Sequence, residues 1–120
     1  MENASKIMLV EDDPSMRVLL RTLLEIEGYG VVIAPDINSI EEILVTVRGE
    51  KPDAILMDVH LRGINGMDVL KEIRAKEDLQ NTQVIMTSGM DVRELCMEAG
   101  ANDFLMKPYM ADELLEKLRG

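Results

Sequence analysis

At 120 residues, 47% of them apolar, the chain has the size of one domain with enough hydrophobic side chains to bury a core. A formal charge of −10, with 13 basic residues scattered among 23 acidic ones, argues against direct nucleic-acid binding, which needs clustered Lys and Arg. Cys96 is the single cysteine; that excludes an intramolecular disulfide and fits a reducing, cytoplasmic setting.

Residues Met1 to Lys6 lead directly into Ile7–Val10, an apolar run too short for a signal-peptide core or a membrane span, so a soluble chain without membrane association is expected. That run reads as the first buried strand. Pro14 suits the first turn of a helix with Met16, Leu19, Leu20, Leu23 and Leu24 at helical spacing, and Gly28 can end it. Val31–Ala34 is the second strand. Asp36 to Ser39 supply capping side chains for a helix carrying Ile40, Ile43, Leu44 and Val47. Ala54–Met57 follows as the third strand, with Met67, Leu70 and Ile73 marking the third helix. Val84–Met86 is the fourth strand, and the helix around Val92, Leu95 and Ala99 closes at Gly100. Asp103–Met106 and the helix around Leu114, Leu115 and Leu118 complete the series.

Short apolar strands joined by helical crossovers imply strands buried on both faces, hence a doubly wound α/β fold with a five-stranded parallel sheet and five helices. No linker, low-complexity tract or repeat interrupts the pattern, so residues 1–120 are expected to form a single domain with no output domain in this chain. Ligands of such folds sit beyond the carboxyl ends of the strands.

Those ends carry the chemistry. Glu11, Asp12 and Asp13 follow the first strand, Asp58 the third, Ser88 and Gly89 the fourth, and Lys107-Pro108 the fifth. Glu11, Asp12 and Asp58 are hard oxygen ligands of the kind Mg²⁺ prefers, and together they would repel strongly without a cation. Asp13, just before Pro14, reads instead as a helix cap. Ser88 adds a hydroxyl, with Thr87 as the alternative at that position. A strand-end aspartate, serine or lysine alone is an ordinary turn residue or solvated charge; the weight lies in their convergence.

Taken together these segments resemble the receiver domain of two-component response regulators over essentially the whole chain. The matching stretches are Met8 to Pro14, Pro52 to Leu61, Gly66, Val84 to Gly89 and Ala99 to Pro108. The resemblance implies a flavodoxin-like strand order 2-1-3-4-5, with Asp58 as the phosphorylation site. It further implies Mg²⁺ as cofactor, held by Asp12 and Asp58 directly, by Glu11 through water and by the backbone carbonyl of His60. Ser88 and Lys107 would bind the phosphoryl oxygens, and Ser88 with Phe104 would form the switch that changes the face made by the fourth helix, fifth strand and fifth helix. Implied partners are a sensor histidine kinase or phosphotransfer protein, and a downstream effector or a missing output domain; a weak or phosphorylation-dependent dimer stays open.

Three departures stand out against that family: Arg62 where proline is frequent, Phe104 in place of a tyrosine, and a shortened stretch from Ser88 to Gly100 that trims the fourth helix or the loop before it. His60 reads as a rim residue controlling water access. Met90 and Met110 are candidate partner contacts, the other methionines core filler. A haloacid-dehalogenase-type phosphatase would need a second aspartate two residues after Asp58, where His60 stands. A dinucleotide-binding domain would need a glycine-rich turn where Glu11 to Pro14 stands. A degenerate receiver, acting only as a protein-binding module, remains the nearer rival. The chain is therefore expected to be a phosphoacceptor signalling domain and not an enzyme acting on other substrates.

Overall fold

The computed structural model describes residues 5–34 and 39–119. Its elements alternate strictly: β1 (Lys6–Val10), α1 (Pro14–Ile26), β2 (Gly30–Ile33), α2 (Ile40–Glu50), β3 (Ala54–Asp58), α3 (Gly66–Ala75), β4 (Gln83–Ser88), α4 (Arg93–Glu98), β5 (Asp103–Met106) and α5 (Ala111–Arg119). All neighbouring strand pairs are parallel, in the order β2-β1-β3-β4-β5. This is the doubly wound α/β architecture the sequence pattern implies, with the flavodoxin-like strand order the family resemblance implies.

The period-two alternation of the strands divides the core into two layers. Ile7 and Leu9 of β1, Leu56 of β3, Ile85 of β4 and Leu105 of β5 face Leu20 and Leu24 of α1 and Leu114 and Leu115 of α5. Met8, Val10, Ile55, Met57, Val84, Met86 and Phe104 face the other way, against α2, α3 and α4. Because both faces are covered, β1 and β3 show no polar alternation and read as continuous apolar runs.

Helix ends follow local chemistry. The Asp13 side chain caps α1 by accepting from the Ser15 amide at 2.9 Å, with Pro14 in the first turn. Ser39 caps α2 through the Glu42 amide at 3.2 Å; the Asp36 part of that cap reading lies outside the described residues. Gly28 and Gly100 close α1 and α4 at φ +96° and +108°, a backbone region that disfavours other residues.

Four details differ from the sequence pattern. Strands β1 and β4 start one residue earlier than expected, β2 is shifted one residue earlier as a whole, and β3 and β4 continue through the polar residues Asp58 and Ser88. Leu19 lies on the exposed side of α1, where the burial falls on Leu20 and Leu24. Helix α4 has only six residues, begins without a side-chain cap and buries Cys96, leaving Leu95 59% exposed. Cys96 anchors so short a helix, with Val92 and Ala99 at its two ends partly buried against the same core, so of the expected Val92-Leu95-Ala99 stripe only Leu95 falls outside. Finally, a 3-10 turn at Glu77–Leu79 inserts Leu79 into the core between α3 and β4. The Arg74 guanidinium braces that junction, donating to the carbonyls of Gly100 (2.7 Å) and Thr82 (2.9 Å) and to Asn102 Oδ1 (2.7 Å).

Candidate functional site

The chain leaves β1 for β2 on one side of the sheet, whereas β3 lies on the other side of β1, so the strand order reverses between β1 and β3. A crevice opens there beyond the strand ends. Register sets what lines it. Val10 pairs with Met57 and Asp58 pairs with Thr87, so Glu11 leaves β1 level with Asp58 at the end of β3. Thr87 pairs with Leu105, which places Lys107 two residues, roughly 6–7 Å, beyond that level, a distance its long side chain spans by reaching back.

One oxygen from each of Glu11, Asp12 and Asp58 lies within 4.8 Å of the others. Glu11 is 5% and Asp58 8% exposed, so these are charged groups inside the protein surface. Lys107 Nζ sits 3.0 Å from Asp58 Oδ2 and 3.3 Å from Glu11 Oε1. Backbone amides orient the carboxylates: Asp13 N donates to Glu11 Oε2 at 3.1 Å, His60 N to Asp58 Oδ1 at 3.2 Å and Arg62 N to Asp12 Oδ2 at 2.7 Å. Paired and hydrogen-bonded in this way, buried charge is tolerable.

The loop after β3 is held tight against Asp58. Gly66 N donates to the Val59 carbonyl at 2.8 Å, and Asn65 caps α3 through the Met67 amide at 2.8 Å. A Cβ at Gly66 would lie 2.2 Å from the Asp58 carbonyl oxygen, so only glycine allows this approach. Ser88, fully buried, accepts from the Met90 amide at 3.0 Å through Oγ, and its carbonyl accepts from Lys107 N at 2.8 Å. Thr87 is buried one residue earlier, opposite Asp58. The Lys107-Pro108 bond is cis.

Electrostatics follow from these contacts. Burial pulls the Lys107 ammonium down, but its hydrogen bond to Asp58 and the charge of Glu11 outweigh that, and its pKa stands above the ordinary lysine value. Burial first, and then the charges of Glu11 and Asp58, push the Tyr109 phenol up to about 12. Two neighbours of the site thus had no functional reading from sequence: Tyr109, whose only signal is its place after Lys107-Pro108, and Arg62, which stood out only as a departure. Farther out, Phe104 is turned into the core, and Arg93 covers it with its guanidinium 5.6 Å from the ring centroid and Nη2 3.2 Å from the Phe104 carbonyl.

A flavodoxin-like sheet with an acidic cluster and a lysine at its switch point defines a small class of α/β domains. The profile of the response regulator receiver domain matches residues 7–119, and the chain belongs to that family. It is 37% identical over 118 residues to the transcriptional regulatory protein CpxR of Klebsiella pneumoniae, covering 96% of this chain and 48% of that one. It is 34% identical over 116 residues to the DNA-binding response regulator MtrA of Mycolicibacterium smegmatis, covering 95% and 49%. The chain therefore spans about half the length of these relatives. Among solved structures it is similar to the receiver domain of the sensor histidine kinase PA1611 of Pseudomonas aeruginosa, which has a magnesium ion coordinated in its active-site cleft. The TM-score is 0.78 at 31% identity, covering 97% of this chain and 95% of that one. Among the described residues, no helix is long and apolar enough to cross a membrane.

Proposed function

We propose that residues 1–120 act as one receiver unit that takes a phosphoryl group onto Asp58 from the phosphohistidine of a sensor kinase or phosphotransfer protein. The observation that carries this reading is the convergence of the Asp58, Glu11 and Asp12 oxygens with Lys107 Nζ 3.0 Å from Asp58 Oδ2. Three hard oxygen donors within 4.8 Å, with Lys107 paired to two of them, suit Mg²⁺, and the similar PA1611 receiver has a magnesium ion coordinated in its active-site cleft. Asp12 and Asp58 would hold the ion directly, Glu11 through water, and the His60 carbonyl would complete the protein donors. When bound, Mg²⁺ supplies charge neutralisation to the transferring oxygens.

The protein's own groups do the rest. An Asp58 carboxylate oxygen forms the new bond to phosphorus as the bond to the donor imidazole nitrogen breaks, and the bonding pair leaves with that nitrogen; the product is an acyl phosphate. Lys107 neutralises a phosphoryl oxygen while staying tied to Glu11. The Ser88 hydroxyl donates to another, and in turning to do so it draws on the Met90 amide it holds at 3.0 Å. Phe104, on the neighbouring strand β5 opposite Met86, shifts between inward and outward packings, and the α4–β5–α5 surface changes with it. Exposed Met90, Leu95, Met106 and Met110 on and beside that surface are the contacts for an effector, an attached output domain or a second copy. Acting on itself alone and in the cytoplasm, such a domain is a signal input and not a turnover enzyme.

The test is mass spectrometry after incubation with acetyl phosphate and Mg²⁺. Wild type should gain one phosphoryl group and Asp58→Ala none. Wild type without added mass sinks the reading in favour of a receiver that binds partners without phosphate.

A further inference from the structure

We propose that Arg62 is a built-in counter-ion of Asp12 that competes with the divalent cation and sets how tightly the site holds it; this rests on the metal reading above and deepens it. Lys107 contacts only Asp58 and Glu11 among the three carboxylates. Asp12 is served instead by Arg62, whose backbone amide donates to Oδ2 at 2.7 Å while its Nε lies 3.7 Å from the same oxygen. The two cations thus divide the acidic cluster between them.

A divalent ion on Asp12 either takes Oδ2 and displaces the guanidinium or takes the other carboxylate oxygen and sits close to a like charge, so lost pairing or repulsion opposes it in both cases. The Arg62 side chain is 83% exposed and swings into water at little cost, so it tunes occupancy and does not block it. The backbone amide is a separate contribution. Any residue but proline keeps it, which lets charge and hydrogen bond be tested apart.

The experiment titrates the full chain with MgCl₂ and follows amide chemical shifts by NMR, because a chain with no tryptophan offers no indole quenching signal. Arg62→Gln, which keeps the amide and removes the charge, should bind Mg²⁺ about three- to fivefold more tightly than wild type at low salt, the scale of an exposed ion pair. The gap should shrink as added NaCl screens the pair. Arg62→Lys should stay close to wild type, and Lys71→Gln, which removes an exposed cation on α3 without contact to the site, should change nothing. Equal or weaker binding by Arg62→Gln overturns the proposal, as does an equal gain in Lys71→Gln, which would make the effect one of net charge. Saturable binding absent from wild type and variants alike would overturn the metal reading itself, a result distinct from equal affinities.

Discussion

Replacing Lys107 by methionine removes the ammonium while keeping most of the volume of the side chain, and leaves Glu11 and Asp58 facing each other inside the surface. At an effective dielectric of about 20, unit charges 3.0 and 3.3 Å apart attract by about 5 kcal/mol each, which is a ceiling. Desolvation of the lysine offsets much of this, and a side chain 25% exposed is partly screened. The net value falls between the ~0.2–1 kcal/mol of an exposed pair and the ~3–5 kcal/mol lost when one partner of a buried pair is removed. We expect Lys107→Met to lower the unfolding free energy by about 2 kcal/mol near pH 8 without divalent cations. With about 2.1 cal/mol/K of unfolding entropy per residue over 120 residues, that is a fall of about 8 °C in Tm.

Urea unfolding followed by circular dichroism measures the gap, and its pH dependence tests the cause. The folded pKa of Lys107 is raised, so its pairing contributes fully below the ordinary lysine value of 10.5 and is lost as pH climbs through the raised value. Wild type should therefore descend toward the variant in strongly alkaline buffer. A variant within about 0.5 kcal/mol of wild type near pH 8 would refute the reasoning, since that is the scatter of ordinary surface substitutions. So would a gap that stays constant as pH passes beyond the lysine range.

Gly66→Ala should cost about 3 kcal/mol in the same urea assay, because the new methyl group would press 2.2 Å from the Asp58 carbonyl oxygen and 3.1 Å from Val59 Cα, both backbone atoms with no room to rotate away. A loss below about 1 kcal/mol would show that the loop after β3 yields more easily than its hydrogen bonds imply. Tyr109 should form its phenolate only near pH 12, against 10.0 for an ordinary tyrosine, when tyrosinate absorbance is followed with circular dichroism reporting that the chain stays folded. Because the folded state holds that proton more tightly, its contribution to stability is complete below pH 10.0 and lost as pH rises through about 12. In Glu11→Gln the midpoint should drop only part of the way, since burial and not charge is the leading cause; an unchanged midpoint would deny Glu11 any influence there.

What made so much of this molecule legible is the two-sided burial of a parallel sheet. Strands such as Ile7 to Val10 and Ala54 to Met57 have no solvent face, so they stand out as unbroken apolar runs, and the helices between them are forced to cross over. Where burial is one-sided or brief the pattern loses its authority. Leu19 and Leu95 carry helical spacing yet lie outside, because α1 rests on Leu20 and Leu24 and the six-residue α4 is pinned by Cys96 with Val92 and Ala99 at its ends. The 3-10 turn that buries Leu79 has no periodicity to betray it.

The site was legible for a related reason, and its limits are informative. A parallel sheet delivers the carboxyl end of every strand to the same edge, so Glu11, Asp58, Ser88 and Lys107 needed only the strand ends to be placed together; that Asp13 does not join Glu11 and Asp12 was decided by Pro14, whose fixed φ starts α1 and commits Asp13 to capping it. Arg62 and Tyr109 sit on loops, where no periodicity ties sequence position to direction, and their parts emerge only from distances. The whole arrangement hangs on register. Val10 opposite Met57 and Asp58 opposite Thr87 put the first and third strands' carboxylates level, and a slip of one residue in β3 would turn Asp58 to the other face of the sheet and move Met57 to the edge. The apolar runs that bury β3 on both faces cannot by themselves forbid that slip, since either face accepts Ile55 or Leu56. Closure of the loop does: Gly66 against the Asp58 carbonyl and the Val59 amide on the Thr87 carbonyl at 2.9 Å fix the strand from its carboxyl end, so the residue that admits the closest backbone approach also holds the candidate phosphoacceptor in place.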